Sequence, residues 1–143
     1  MSDPGDASKV LLGLAADDEF AARALLPVEG VTDGVLGFHC QQAVEKALKS
    51  VLARRDVEFP YTHDLDGLLR LCQENEIEVP QDLAGVGRLS VFGVQLRYGA
   101  SAKTSLDRDK ALLWAASAVR WAQQQTEVQE PAQDLGADTG DDG

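Results

Sequence analysis

Cysteine is scarce in this sequence of 143 residues, and positive charge is scarcer than negative charge. The two cysteines, Cys40 and Cys72, are too few for a metal cluster and give no disulfide framework. The 13 Lys and Arg residues stand against 24 Asp and Glu residues, which gives a formal net charge of -11 at pH 7. A protein that coats nucleic acid needs a basic surface, so this charge argues against general nucleic-acid binding.

Long apolar runs are also missing. The longest, from Ala111 to Val119, is far shorter than the ~20 residues that cross a bilayer. Residues 1–6 have neither the basic region nor the apolar region of a signal peptide. We therefore predict a cytoplasmic protein with reduced cysteines and no membrane contact.

The length and the uneven charge predict one folded domain with two flanking segments. From residue 127 onward the chain has three glycines, a proline and no Lys or Arg. We predict a disordered N-terminus at 1–6, a helical domain at 7–126 and a disordered acidic tail at 127–143. The acids of the tail are Glu127, Glu130, Asp134, Asp138, Asp141 and Asp142.

Apolar residues recur at helical spacing in five segments, and no segment alternates convincingly as a strand would. Their short links predict an all-α, antiparallel up-and-down bundle of four to five helices. The first helix spans about 7–26, with Val10, Leu14, Ala21 and Leu25 at three- and four-residue intervals. The second begins near Thr32 or Asp33, the third at Thr62, the fourth near Pro80 and the fifth at Thr104 or Ser105.

The second helix has two contrasting faces on a helical wheel. We expect its apolar sector to be buried, and His39 to lie at the boundary between the sectors. In the fourth helix, Gly85, Gly87 and Gly93 indicate either a break or the close approach of another helix. The apolar sector consists of Leu36, Cys40, Ala43, Val44, Ala47, Leu48 and Val51, and the polar one of His39, Gln41, Gln42, Glu45, Lys46 and Lys49.

Three segments together resemble the HEPN family (higher eukaryotes and prokaryotes nucleotide-binding domain). The run from Gly37 to Lys49, GFHCQQAVEKALK, is similar to the family's second helix. The run from Thr62 to Leu65, THDL, is similar to a helix start at the expected distance, and Arg97-Tyr98 is similar to a pair near the end of the fourth helix. The Asp17-Asp18 region of the first helix also fits, and the resemblance covers roughly residues 10–122.

This resemblance implies a helical bundle that usually forms homodimers. Many prokaryotic members are encoded beside a minimal nucleotidyltransferase as a toxin–antitoxin pair. Some members are metal-independent ribonucleases, and others are described as nucleotide-binding.

The family's ribonuclease motif is an Arg followed four to six residues later by a His. The His can move a proton at neutral pH, and the Arg can hold the phosphate. Arg97 is present, but positions 101–103 are Ser101, Ala102 and Lys103, and no histidine follows His63. We therefore assign no catalytic residue, no metal ligand and no cofactor, and we lean against an enzyme.

The candidates for binding a ligand or a partner are His39, Gln42, Lys46, Lys49, Arg97 and Tyr98, and the weaker ones are Glu45, His63 and Asp64. The polar strip on the second helix either binds a phosphate or a partner, or is a solvated face whose histidine bonds a neighbouring helix. His63 and Asp64 are expected to satisfy backbone groups at a helix start. Arg97 and Tyr98 either line a groove or serve as a helix-end cation and a packed aromatic.

The leading hypothesis is a non-catalytic homodimer that acts through protein contacts, paired with a nucleotidyltransferase in a toxin–antitoxin-like module. One alternative is a module that binds ATP or GTP through Lys46, Lys49 and Arg97 beside His39. The other is a metal-independent ribonuclease with a divergent site.

Overall fold

The computed structural model describes residues 4–93 and 105–128, and most of them are helical. No residue in these two ranges belongs to a β-strand, and the predicted all-α fold class is confirmed. Within these ranges, four long helices form the bundle, and two 3₁₀ turns and a helical turn at residues 90–93 lie between the third and the fourth. These helices are α1 (Pro4–Leu25), α2 (Asp33–Arg54), α3 (Leu65–Glu74) and α4 (Arg108–Val128), and the 3₁₀ turns are Gln81–Leu83 and Val86–Leu89.

Helix α2 lies at the centre of the bundle. Its start is capped as predicted, because Thr32 Oγ1 accepts a hydrogen bond from the backbone N–H of Val35 at 3.2 Å. The prediction of its buried face is confirmed, since all seven apolar side chains are at most 1% exposed. Burying a leucine side chain stabilises a fold by about 1.5–3 kcal/mol, so this face is a main source of stability.

Helix α1 packs beside α2 through small side chains. Ala15 and Ala22 are fully buried, whereas Val10 and Leu14 are exposed. The apolar side predicted for this helix was therefore wrong for Val10 and Leu14, whereas the predicted Leu25 packs against the core. The helix begins at Pro4, three residues before the predicted start at Ala7.

The starts of α2 and α4 are joined by one arginine. Arg108 Nε donates to Asp33 Oδ1 at 2.6 Å, and its terminal nitrogen donates to the carbonyl oxygen of Val31 at 2.7 Å. Asp107 caps α4, since its Oδ1 accepts from the N–H of Lys110 at 3.1 Å. The predicted cap at Ser105 or Thr104 was wrong because the helix begins at Arg108, and Thr104 lies outside the described residues.

The third helix begins at Leu65 with Asp64 in the cap position, two residues after the predicted cap Thr62. Thr62 Oγ1 accepts from the backbone N–H of Asp64 at 3.0 Å, which stabilises the turn before the helix. The N–H of Leu65 donates to Ser90 Oγ at 3.0 Å, so a side chain distant in sequence satisfies part of the helix start.

The predicted start of the fourth helix near Pro80 was wrong, because two 3₁₀ turns occupy residues 81–89 and the helical turn begins at residue 90. Both effects expected of the glycines occur there. Gly85 interrupts the helical path between the 3₁₀ turns, and a Cβ atom at this residue would lie 3.1 Å from the Trp114 ring. Gly93 lies against the side chain of Gln41, at 2.8 Å from an added Cβ.

The two tryptophans of α4 are buried, and each indole also forms a hydrogen bond. Trp114 Nε1 donates to the carbonyl oxygen of Asp82, and Trp121 Nε1 donates to that of Glu78, both at 3.1 Å. These bonds hold the 3₁₀ region and the residues before it against α4. Among residues 4–93 and 105–128, no helix combines the length and the apolar character needed to cross a membrane.

Both cysteines lie in the core as unpaired thiols. Burial, with a smaller contribution from Glu19, raises the pKa of the Cys40 thiol to about 12. Burial likewise raises the pKa of Cys72 to about 11, against a smaller opposing effect of Arg55. Both thiols are therefore protonated at neutral pH and poorly reactive.

Candidate functional site

The polar residues of α2 divide into two clusters, and the first joins α2 to α1. His39 Nδ1 lies 3.0 Å from Asp18 Oδ1, and Lys46 Nζ lies 2.8 Å from Asp18 Oδ2. All three side chains are partly buried. We call this the Asp18 cluster. One carboxylate of α1 thus holds two side chains that are two helical turns apart on α2.

The second cluster, which we call the Glu45 cluster, consists of Gln41, Glu45, Lys49 and His63. Glu45 Oε1 accepts from Gln41 Nε2 at 2.7 Å and lies 2.8 Å from His63 Nδ1. The other carboxylate oxygen accepts from Lys49 Nζ at 2.8 Å. Since His63 lies on the segment before α3, this cluster ties that segment to α2.

Glu45 is deeply buried, yet it is stabilised in its charged form. Burial raises the pKa of a carboxyl group, and here it is the largest single effect. Hydrogen bonds from Lys49, His63 and Gln41, together with the charge of Lys49, outweigh burial and lower the pKa of Glu45 below its usual value. An ionised carboxylate only accepts hydrogen bonds, so Nδ1 of His63 is the donor in this contact.

The Lys49 ammonium group has few solvent contacts. Its side chain is 9% exposed, and Nζ lies 5.6 Å from the ring centroid of Phe59 and 5.9 Å from that of Tyr61. Carboxylate and rings together replace water around the cation. Gln41, Glu45 and Lys49 belong to the polar sector of the helical wheel, and all three are buried. The interpretation of the polar strip as a solvated face is therefore wrong for Lys49.

His63 also borders a shallow depression of about 520 Å³, which Tyr61, Thr62, Asp64 and Ser90 help to line. A histidine whose Nδ1 is fixed by a carboxylate can act through Nε2 as a base or a ligand. Asp64 beside it is exposed, forms no side-chain cap on α3 and lies 4.0 Å from a guanidinium nitrogen of Arg70. A depression of about 630 Å³ elsewhere, beside Ile77 and Pro80, is lined by none of the predicted site residues.

Three predicted site residues remain, namely Gln42, Arg97 and Tyr98. Gln42 Nε2 donates to Gln41 Oε1 at 2.7 Å, so Gln42 extends the Glu45 cluster toward the surface. Arg97 and Tyr98 lie outside the described residues. Asp18 was not among the candidates, although it holds two of them. The spacing of the polar residues in α2 does not predict their contact with Asp18, because the contact forms only when α1 packs on α2.

A comparison with protein families matches residues 11–125 to the HEPN domain. The chain belongs to the HEPN domain family. A comparison with curated proteins and one with solved structures gave no match. The matched range includes all four helices except the ends of α1 and α4, and it contains both polar clusters. The resemblance that rested on three short segments is therefore confirmed at the level of the family.

Proposed function

We propose that this HEPN protein is a non-catalytic homodimer that acts through protein contacts, as one half of a toxin–antitoxin-like module with a nucleotidyltransferase. The observation that carries the proposal is the apolar outer side of α1. Val10 and Phe20 are each 62% exposed, and Leu14 is 42% exposed. Apolar side chains grouped on a solvent-facing helix mark a contact surface for protein.

The geometry of α1 favours such a contact. Val10 and Phe20 lie on the side of α1 away from the buried alanines. The less exposed Leu14 lies on the flank, about 100° from Ala15 on a helical wheel. Gly13 lies among them, and a Cβ added there would have nothing within 4 Å. A helix of a second protein can therefore approach this part of the α1 backbone closely.

The histidines support a role without RNA cleavage. Only His39 and His63 are present, and neither follows Arg97 at the spacing of the family's ribonuclease motif. Each ring also has its Nδ1 against a carboxylate that ties two elements together. We infer that their main role is to hold the bundle in one arrangement.

The nucleotide-binding alternative receives less support. It relies on Lys46 and Lys49 as phosphate contacts, and both ammonium groups already lie 2.8 Å from a carboxylate. A nucleotide phosphate would have to displace Asp18 or the buried Glu45. Such an exchange replaces one charge pair with another, and removing water from the phosphate costs free energy.

The proposal is tested with the purified chain and with tagged protein recovered from its native host. We expect a dimer in sedimentation analysis and a nucleotidyltransferase in stoichiometric amount by mass spectrometry. In a variant with Val10→Ser and Phe20→Ser, we expect one or both associations to be lost. A variant with Val28→Ser and Leu113→Ser is the matched control, because it removes two exposed apolar side chains from other surfaces.

A wild-type protein that is monomeric and recovers no protein partner would contradict the proposal. Associations that are equally strong in the α1 variant would show that the contact surface lies elsewhere. Circular dichroism of both variants checks that the bundle remains folded.

A further inference from the structure

Helix α4 presents a cationic and apolar groove on an otherwise acidic protein. Leu113 is 70% exposed, and it lies on the same side of the helix as Lys110, Ser117 and Arg120, at three- and four-residue intervals. These side chains line a depression of about 290 Å³. A second depression of about 270 Å³ shares Lys110 and adds Arg88 from the 3₁₀ region.

The cations of this groove are not neutralised by the described part of the chain. Among residues 4–93 and 105–128, no carboxylate lies within ion-pair distance of Arg88, Lys110 or Arg120. Lys110 contacts the Trp114 ring instead, with Nζ 5.6 Å from the ring centroid. Two acids also line the depressions. Asp82 accepts a hydrogen bond from Ser117 Oγ at 2.9 Å, and Asp107 accepts one from the backbone N–H of Lys110 at 3.1 Å, so three cations face two carboxylates.

The sequence beyond α4 has the complementary chemistry. From residue 127 onward there are six acids and no Lys or Arg. Leu135 lies between Asp134 and Asp138, whereas Leu113 lies between Lys110 and Arg120. An apolar residue flanked by acids thus matches an apolar residue flanked by cations.

The segment after α4 is long enough to reach the groove of the same chain. Arg120 precedes Val128, the last residue of α4, by eight residues, which is about 12 Å along a helix. Lys110 is about 27 Å from that end by the same measure. Residues 129–143 reach up to about 50 Å when extended, so a chain that reverses after Val128 can run the length of the groove.

We propose that the groove formed by Arg88, Lys110, Leu113 and Arg120 is a docking surface for the chain's own acidic segment, residues 134–142. Each surface ion pair is weak, but tethering gives the segment an effective concentration on the order of millimolar. In this position the segment covers Leu113 and places its acids against the cations of the groove. This inference is independent of the function proposed above.

The test is energy transfer from the two tryptophans, both on α4, to a fluorophore attached after Gly143→Cys. The natural cysteines are buried and protonated, so the introduced thiol is labelled selectively. We expect roughly a twofold loss of transfer when the cations are removed, since an undocked segment would span roughly 22 Å beyond Val128 as a random coil. The groove variant combines Arg88→Gln, Lys110→Gln and Arg120→Gln.

The matched control is a variant with Arg23→Gln, Arg55→Gln and Arg70→Gln, which removes the same charge from other surfaces. Each variant is compared with its own unlabelled form, because Lys110 contacts a donor tryptophan. We expect the control to keep the wild-type transfer, and about 1 M NaCl to abolish the difference, since charge interactions then extend only about 3 Å.

Equal transfer in the groove variant and the wild type would overturn the proposal. So would transfer that falls on dilution at constant salt, because it would show that the segment of a second copy occupies the groove. Docking within one chain predicts transfer that is independent of protein concentration.

Discussion

His63 Nδ1 lies 2.8 Å from Glu45 Oε1, although the two residues are 18 positions apart and belong to different elements. The contact connects the segment before α3 to the centre of α2. The same carboxylate also holds Lys49 through its other oxygen. A family-typical sequence pattern, QQAVEKALK followed by THDL, is thereby explained as one buried polar network rather than two independent motifs.

We predict that Glu45→Gln destabilises the fold by about 3 kcal/mol, because it leaves the buried ammonium group of Lys49 without a counter-charge. Urea unfolding at neutral pH measures the change. The control is Glu19→Gln, which breaks the exposed pair of Glu19 with Arg23 and should cost much less. Equal losses in the two variants would show that the Glu45 cluster is no more important than a surface pair.

The stability of the protein should depend on pH through Glu45. Its pKa is lower in the folded state than in the unfolded state, so the unfolded state binds the proton more readily. The stability that Glu45 contributes is therefore present above the unfolded-state pKa of about 4.3 and is lost as the pH falls through the lower folded-state pKa.

Urea midpoints measured at several pH values check this dependence. We expect the difference between the wild type and Glu45→Gln to be constant above about pH 5 and to narrow below about pH 4, where the glutamate itself becomes neutral. A difference that stays constant through the acid range would rule out Glu45 as the titrating group.

Helical periodicity was sufficient for the fold class because a wheel separates the apolar and polar sides of α2 without knowledge of its neighbours. The same method failed for α1. There Ala15 and Ala22 face the core, while the larger Val10 and Leu14 face outward. The size of a side chain does not predict which side is buried when two helices approach closely through alanine.

The candidate site was predictable in its residues but not in its contacts. His39, Lys46 and Lys49 were identified from the pattern, but their partners come from packing between elements. Asp18 was missed for that reason. The burial of Gln41 and Glu45 was also missed, because a helical wheel does not show that the segment before α3 covers part of the polar sector.

Two glycine substitutions should have opposite effects on stability. At Gly37 an added Cβ would lie 2.6 Å from the ring of the buried Phe92, so Gly37→Ala should cost about 1–3 kcal/mol. At Gly13 nothing lies within 4 Å, so Gly13→Ala should stabilise the monomer by about 0.5–1 kcal/mol through its better helix propensity. Thermal and urea unfolding of dilute protein measure the stability of the two variants. A loss of stability in Gly13→Ala as well would show that the contact of Gly37 with Phe92 does not explain the effect of Gly37→Ala.

The chain should not cleave RNA. Proton transfer at a phosphodiester requires a histidine near a cation that can hold the phosphate. Here no histidine follows Arg97 at the spacing of the family's motif, and the ammonium groups of Lys46 and Lys49 are already paired with carboxylates. Incubation of the purified chain with total RNA should therefore give no products above a buffer control. If products do appear, the variants His39→Asn, His63→Asn and Arg97→Ala identify their source. Cleavage that disappears in any of these variants would contradict the non-catalytic proposal. Cleavage that survives in all three would come from a contaminating nuclease.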